Sequence, residues 1–236
     1  VTRYIEDLVL WSDDALLAIN KRAGLLVIQG GFDDSPYLTQ MLEPAFGRVW
    51  VVHRLDRQTS GVLVFARTAE VHRSLNTQFQ EHSTHKVYHA LVHGDPPWPE
   101  YTVDLPLRRD GDRRHRTTID PERGKPSTTH LRVLRRFGQH TLVEAIPRTG
   151  RTHQIRAHLA ALGLPVVADV LYGGGQGLYL SDVAQESQDS RQPIIERVAL
   201  HALALTVTHP VTGERLSFCA PYPPDLAAML DALAAY

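Results

Sequence analysis

The sequence has one cysteine, Cys219, in 236 residues, which excludes an internal disulfide and a multi-cysteine zinc site. It has no run near the ~18 consecutive apolar residues a membrane helix needs. Its N-terminus shows no basic-then-apolar leader. These absences give the expectation of a soluble, cytoplasmic protein without membrane attachment. There is no internal repeat or heptad. Neither a glycine-rich phosphate cradle nor a cluster of metal ligands is present, so no cofactor and no metal are expected. His153 and His158 are five residues apart and fall on different faces of a helix, a poor zinc pair. Lysine is scarce as well: 3 lysines stand against 22 arginines.

Apolar residues make up 43% of the chain, ordinary for a folded globular protein. The formal net charge is −1, yet the segment from Arg108 to Arg156 carries 13 Lys/Arg against 5 Asp/Glu. A basic face on an acidic body is expected, suited to a polyanion such as a nucleic acid. Arginine forks onto phosphate oxygens and stacks on bases better than lysine does.

Patterning gives an α+β fold with a largely antiparallel, mixed central sheet and flanking helices, read as one domain spanning 1–236. Strands are expected at Ala15–Asn20 and Leu25–Ile28, around an Ala23-Gly24 turn, and at Val49–Val52 and Gly61–Ala66. A short helix is expected at Pro36–Phe46. Val71, Leu75 and Phe79 form a stripe that makes 69–81 an amphipathic helix. Lys86–Val92 alternates as a strand, with Tyr88, Ala90 and Val92 on one face, and 95–100 reads as a loop. Residues 108–126 read as an exposed basic connection, 129–134 and 141–146 as strands, and 152–162 as a helix closed by Gly163-Leu164-Pro165. A flexible surface loop at 173–193, strands at 203–207 and 216–219, and a helix from 224 to the end complete the chain.

Three runs could carry chemistry. In the first, His53-Arg54-Leu55-Asp56-Arg57-Gln58-Thr59-Ser60 is a dense polar turn between two apolar strands. Taken alone, Asp56 reads as a turn residue bonded to local amides or to Thr59. The arginines on either side favour an ionised carboxylate and attract anions. In the second, Arg148 to His158, an arginine-rich helix start suits a phosphate or a carboxylate; helical spacing puts Thr152 with Arg156, and His153 with Arg156 and Ala157. In the third, Tyr88 sits in a strand between apolar neighbours and by itself reads as core.

Together these runs resemble the RluA-like RNA pseudouridine synthases. His53-Arg54-Leu55-Asp56, then Thr59-Ser60-Gly61 and an apolar run, matches that family's catalytic-aspartate motif without a break. Gly150-Arg151-Thr152-His153-Gln154-Ile155-Arg156 matches a second, and Asn20-Lys21-Arg22-Ala23-Gly24 resembles a first motif with Arg22 where proline is usual. Lys86 to Gly94, Gly124-Lys125-Pro126, His201-Ala202 and His209-Pro210 also fit, so the likeness covers nearly the whole chain. Ala168 stands where glycine usually precedes the aspartate matching Asp169. Many members carry an additional N-terminal S4-type domain; this sequence starts at the catalytic domain and is expected to stand alone.

The resemblance implies that Asp56 is the catalytic aspartate, Tyr88 the active-site tyrosine and Arg156 the arginine pairing with the aspartate. Arg54 would support a flipped-out nucleotide, and His53, Arg57, Arg151, Thr152 and His153 would contact RNA. The expected partner is ribosomal or transfer RNA, with no obligatory protein partner. The implied reaction turns uridine into pseudouridine, with the carboxylate attacking C1′ or removing the C2′ proton. Substituting Arg156 by alanine should then impair turnover more than folding. Two alternatives remain: a catalytically silent RNA-binding module of the same fold, and a hydrolase acting on the glycosidic bond.

Overall fold

The computed structural model describes residues 5–30, 35–179 and 193–235. In chain order the elements begin with β1 (Val9–Ser12), β2 (Leu16–Lys21), α1 (Leu38–Phe46), β3 (Trp50–Val51), β4 (Ser60–Ala66) and α2 (Ala69–Gln80). Next come β5 (His85–His93), β6 (Glu100–Asp104), β7 (Leu107–Arg108), β8 (Thr118–Ile119), β9 (Thr128–Phe137), β10 (His140–Pro147) and α3 (Gln154–Ala161). The last are β11 (Leu178–Tyr179), β12 (Pro193–Ile195), β13 (Leu200–Thr208), β14 (Arg215–Cys219) and α4 (Pro224–Ala235). The fold is α+β, with four helices and largely antiparallel strand pairing among the described residues.

The chain forms two compact units, Val1–Lys86 with Ala202–Pro221, and Val87–His201 with Tyr222–Tyr236. In the first, β2 pairs with both β1 and β4, β3 lies along β4, and β14 along β13. All seven residues of β4 are buried, which is why it reads as a continuous apolar run. Val71 and Leu75 of α2 pack into the cluster built on Leu16, Val62 and Val64, with Phe79 at its margin. Gly61 has φ 116°, and a Cβ there would lie 2.2 Å from the Ala202 carbonyl oxygen, so the close approach of backbone requires glycine.

In the second unit, β5, β10, β9 and β6 pair in that order. The core cluster of this unit takes in Leu91, Val143 and Leu131, together with Ile155 and Leu159 of α3 and Leu226 and Met229 of α4. The β7–β8 hairpin pairs Leu107 with Ile119 and Arg108 with Thr118.

Several expectations shift. Leu25–Ile28 is not a strand: Leu26 makes only an isolated bridge to Tyr37. The carbonyl of Leu25 is taken by the Lys21 ammonium instead of a neighbouring strand. The basic connection at 108–126 contains β8 and two turns capped by its own aspartates. Asp112 Oδ1 accepts the amides of Arg114 and Arg116, and Asp120 Oδ1 those of Glu122 and Arg123. The helix expected from residue 152 starts at Gln154, because His153 is left-handed at φ 52°. Of the loop expected at 173–193, residues 180–192 lie outside the described residues; at its ends Leu178 pairs with Ile195 and Tyr179 with Pro193.

Candidate active site

The polar turn around Asp56 is anchored at both ends. On entry, β3 follows β4 for two pairs, Trp50 with Ala66 and Val51 with Phe65. The chain then leaves the ladder, and the Val64 amide donates to His53 Nε2 at 3.0 Å. The His53 ring stacks on Phe79 of α2, with centroids 4.6 Å apart and planes 20° apart. Burial, reinforced by the positive charge of Lys86, lowers the His53 pKa to about 3. The ring is therefore neutral, with an acceptor at Nε2 and its proton on Nδ1. Burial likewise lowers Lys86 to about 8.

On exit, Lys21 is fully buried, and its ammonium donates to the carbonyls of Arg22, Leu25 and Arg57 at 3.0, 2.9 and 3.2 Å. The Gly24 amide donates to the same Arg57 carbonyl at 2.7 Å, and Arg57 Nε returns a bond to the Gly24 carbonyl at 3.0 Å. Between these anchors the Thr59 amide donates to the Asp56 carbonyl at 3.1 Å, closing a β-turn. The result is a half-buried Asp56 with Arg54 and Arg57 exposed on either side. A fixed turn holds the Asp56 main chain in one place, as the positioning of a reacting group requires.

In the second unit, Tyr88 is half-buried on β5, paired with Ala145 of β10 and packed against the apolar core. Arg156 lies on α3 and forks onto Asp169, Nε to Oδ2 at 2.6 Å and Nη2 to Oδ1 at 2.8 Å. Its guanidinium carbon lies 5.0 Å from the centre of the Tyr172 ring. Both partners of the fork are buried, so its hydrogen bonds act in a low-dielectric setting. Asp169 follows Ala168, a non-glycine residue at φ 60°.

The start of α3 is fixed by the Gln154 amide. Its oxygen accepts from Thr149 Oγ1 at 2.7 Å and the Arg151 amide at 3.0 Å. Its nitrogen donates to the Thr128 carbonyl and to Thr129 Oγ1, each at 3.0 Å. All four positions of the amide are used. His158 is buried, and its ring nitrogens meet Thr129 Oγ1 and the Leu105 carbonyl. Among the described residues no group of His, Cys, Asp and Glu could hold a metal ion.

Within the first unit, His53, Arg54, Asp56 and Arg57 share one turn, where the ring of His53 is occupied by the fold. Within the second, Arg151 reaches the Pro126 carbonyl at 3.3 Å, Thr152 is exposed, and His153 Nδ1 lies 3.1 Å from the Tyr172 hydroxyl. Because α3 begins at Gln154, Thr152 and His153 do not share a helical face with Arg156. Asp169, Tyr172, Gln154 and Lys21 were not expected as site residues. Lys21 and Gln154 sit inside recognisable motifs, but no spacing rule ties residue 156 to 169 across a turn.

The sequence pattern of the RNA pseudouridylate synthase family matches residues 15–161. The chain is 35% identical to the ribosomal large subunit pseudouridine synthase D of Neisseria meningitidis serogroup B, over 95% of this chain and 60% of that protein. It is 40% identical to the protein of that name from Xanthomonas campestris, over 95% of this chain and 69% of the relative. It is 35% identical to the dual-specificity RNA pseudouridine synthase RluA of Vibrio vulnificus, over 94% and 86% of the two chains. Thus it spans about three-fifths of the Neisseria relative. Among solved structures, human RNA pseudouridylate synthase domain containing 4 shares the fold, with TM-score 0.78 at 23% identity over 98% of this chain and 95% of that one. No described helix is long and apolar enough to cross a membrane.

Proposed function

We propose a uridine-isomerising activity on structured RNA, from the premise that the chain belongs to the RNA pseudouridine synthase family. In this reading Asp56 is the catalytic carboxylate. The C1′–N1 bond of uridine breaks, the uracil turns, and C5 bonds to C1′. The C5 proton leaves to solvent and N1 gains one. Asp56 acts as nucleophile at C1′ or as base at C2′. Tyr88 stacks on the detached uracil, and Arg156 is the cation paired with Asp56. Arg54 fills the place the flipped base leaves, at a cost of a few kcal/mol for unstacking.

The observation that carries this reading is the turn anchored by His53 on entry and by Lys21 and Gly24 on exit, which presents a half-buried Asp56 between exposed arginines. The printed names of the relatives make ribosomal and transfer RNA the substrates to try. The basic hairpin β7–β8 supplies contacts to the phosphate backbone.

The test uses purified protein and ribosomal or transfer RNA transcripts labelled with tritium at uridine C5. Wild type should release tritium to water and leave pseudouridine in the chain, and Asp56→Asn should do neither. Release of free uracil would instead support hydrolysis, and RNA binding without any tritium release would support a silent binding module.

A further inference from the structure

Tyr172 is buried, and no step proposed above uses it. Its hydroxyl closes a junction of three groups. It accepts from the Thr117 amide at 2.9 Å and donates to the Thr117 carbonyl at 3.2 Å. His153 Nδ1 lies 3.1 Å from the same oxygen, its ring edge-on to the phenol at 5.7 Å. One hydroxyl satisfies all three only if His153 carries its proton on Nδ1 and donates it. Burial is the main influence on the phenol and raises its pKa, so the donated proton is kept.

The rest of Tyr172 faces Arg156. The guanidinium carbon stands 5.0 Å from the ring centre, and the Tyr172 amide donates to Asp169 Oδ1 at 3.3 Å. One residue thus touches the β7–β8 hairpin at its hydroxyl and the Arg156–Asp169 fork at its ring and its main-chain amide. Leu107, Ala157 and Tyr172 form a small core of their own between hairpin and α3. Arg116 adds a bond from Nη1 to the Leu171 carbonyl at 3.4 Å. Within the hairpin, Arg108 and Arg116 are turned onto Asp120 and Asp112, whereas Arg113 and Arg114 are exposed at the tip.

The geometry points to Tyr172 as a positioning residue that couples the seating of the arginine hairpin to the placement of Arg156. This rests on the isomerase reading and adds a route by which phosphates gripped at the hairpin tip bear on the active site. The hairpin is held to Tyr172 through main-chain atoms of Thr117, so trimming the Thr117 side chain does not cut the link. The cut must be made at the phenol.

Tyr172→Phe removes the hydroxyl and leaves the ring under Arg156; Tyr172→Leu removes both. In Tyr172→Phe the Thr117 amide should exchange with solvent about tenfold faster. The KM for a structured RNA should rise about fivefold as the hydroxyl's bonds to Thr117 and His153 are lost, with kcat within about twofold of wild type. In Tyr172→Leu, kcat should fall as well, by about tenfold. Substituting Arg113 and Arg114 by alanine should raise KM less in the Tyr172→Phe background than in wild type. Unchanged Thr117 exchange, or fully additive effects on KM, would overturn the coupling. Wild-type protein forming no pseudouridine would overturn the isomerase reading instead, and the exchange measurement would still decide whether Tyr172 holds the hairpin.

Discussion

Asp169 holds Arg156 through both carboxylate oxygens, at 2.6 and 2.8 Å, with both side chains inside the protein. This changes what a deletion at Arg156 means. Arg156→Ala leaves a carboxylate buried without the fork, and breaking a buried pair from one side costs about 3–5 kcal/mol. The variant should therefore lose stability along with turnover, contrary to the sequence-based expectation. Urea unfolding checks this, and a loss well under 1 kcal/mol would contradict the role given to the fork.

Ala168 sits at φ 60° immediately before Asp169. The left-handed region costs an L-residue about 1–2 kcal/mol, and glycine avoids that cost. Ala168→Gly should stabilise the protein by about 1 kcal/mol, with the buried methyl offsetting part of the gain. Ala168→Val should destabilise it, since a β-branched residue fits the left-handed region worse still. Thermal unfolding of the two variants should move in opposite directions.

Much of this was legible in the sequence. The fully buried β4 and the Val71–Leu75 stripe of α2 follow from apolar period alone, and the motif around Asp56 marks its turn. What holds the turn was not legible. A histidine ring replaces a strand partner at Val64, and a buried lysine collects three carbonyls, one of them 36 residues away. These are bonds between side chains and main-chain groups, and apolar pattern does not encode them. The Arg156–Asp169 fork is hidden for the same reason. The strand expected at Leu25–Ile28 does not form, and the Lys21 ammonium takes the Leu25 carbonyl that a ladder would have used.

His53 supplies a pH dependence with a definite sign. Its folded pKa is lowered to about 3 from 6.5. The unfolded chain therefore takes up a proton below 6.5 that the folded chain refuses. The stabilisation is fully present above about pH 6.5 and is lost as pH falls toward 3. Between pH 7 and 5 the loss should be about 2 kcal/mol. His53→Phe keeps a ring against Phe79 but removes the titrating group, so the difference between wild type and variant should shrink with acidification. Equal pH slopes for the two proteins would contradict this assignment.

Arg113 and Arg114 project from the hairpin tip, while Arg108 and Arg116 are paired with aspartates. Replacing both exposed arginines by alanine should weaken RNA binding and reduce the slope of log affinity against log salt by about 2. Arg73→Ala on α2, an exposed arginine outside that hairpin, serves as the control for general charge loss. Equal effects from the two substitutions would remove the hairpin from the RNA contact.

Asp56 is proposed to make pseudouridine in cellular RNA. Pseudouridines should be mapped at base resolution in total RNA from cells lacking the protein, and from the same cells supplied with wild type or Asp56→Asn. One or more sites should vanish without the protein, return with wild type and stay absent with Asp56→Asn. Sites restored by Asp56→Asn, or a map unchanged by removing the protein, would contradict it.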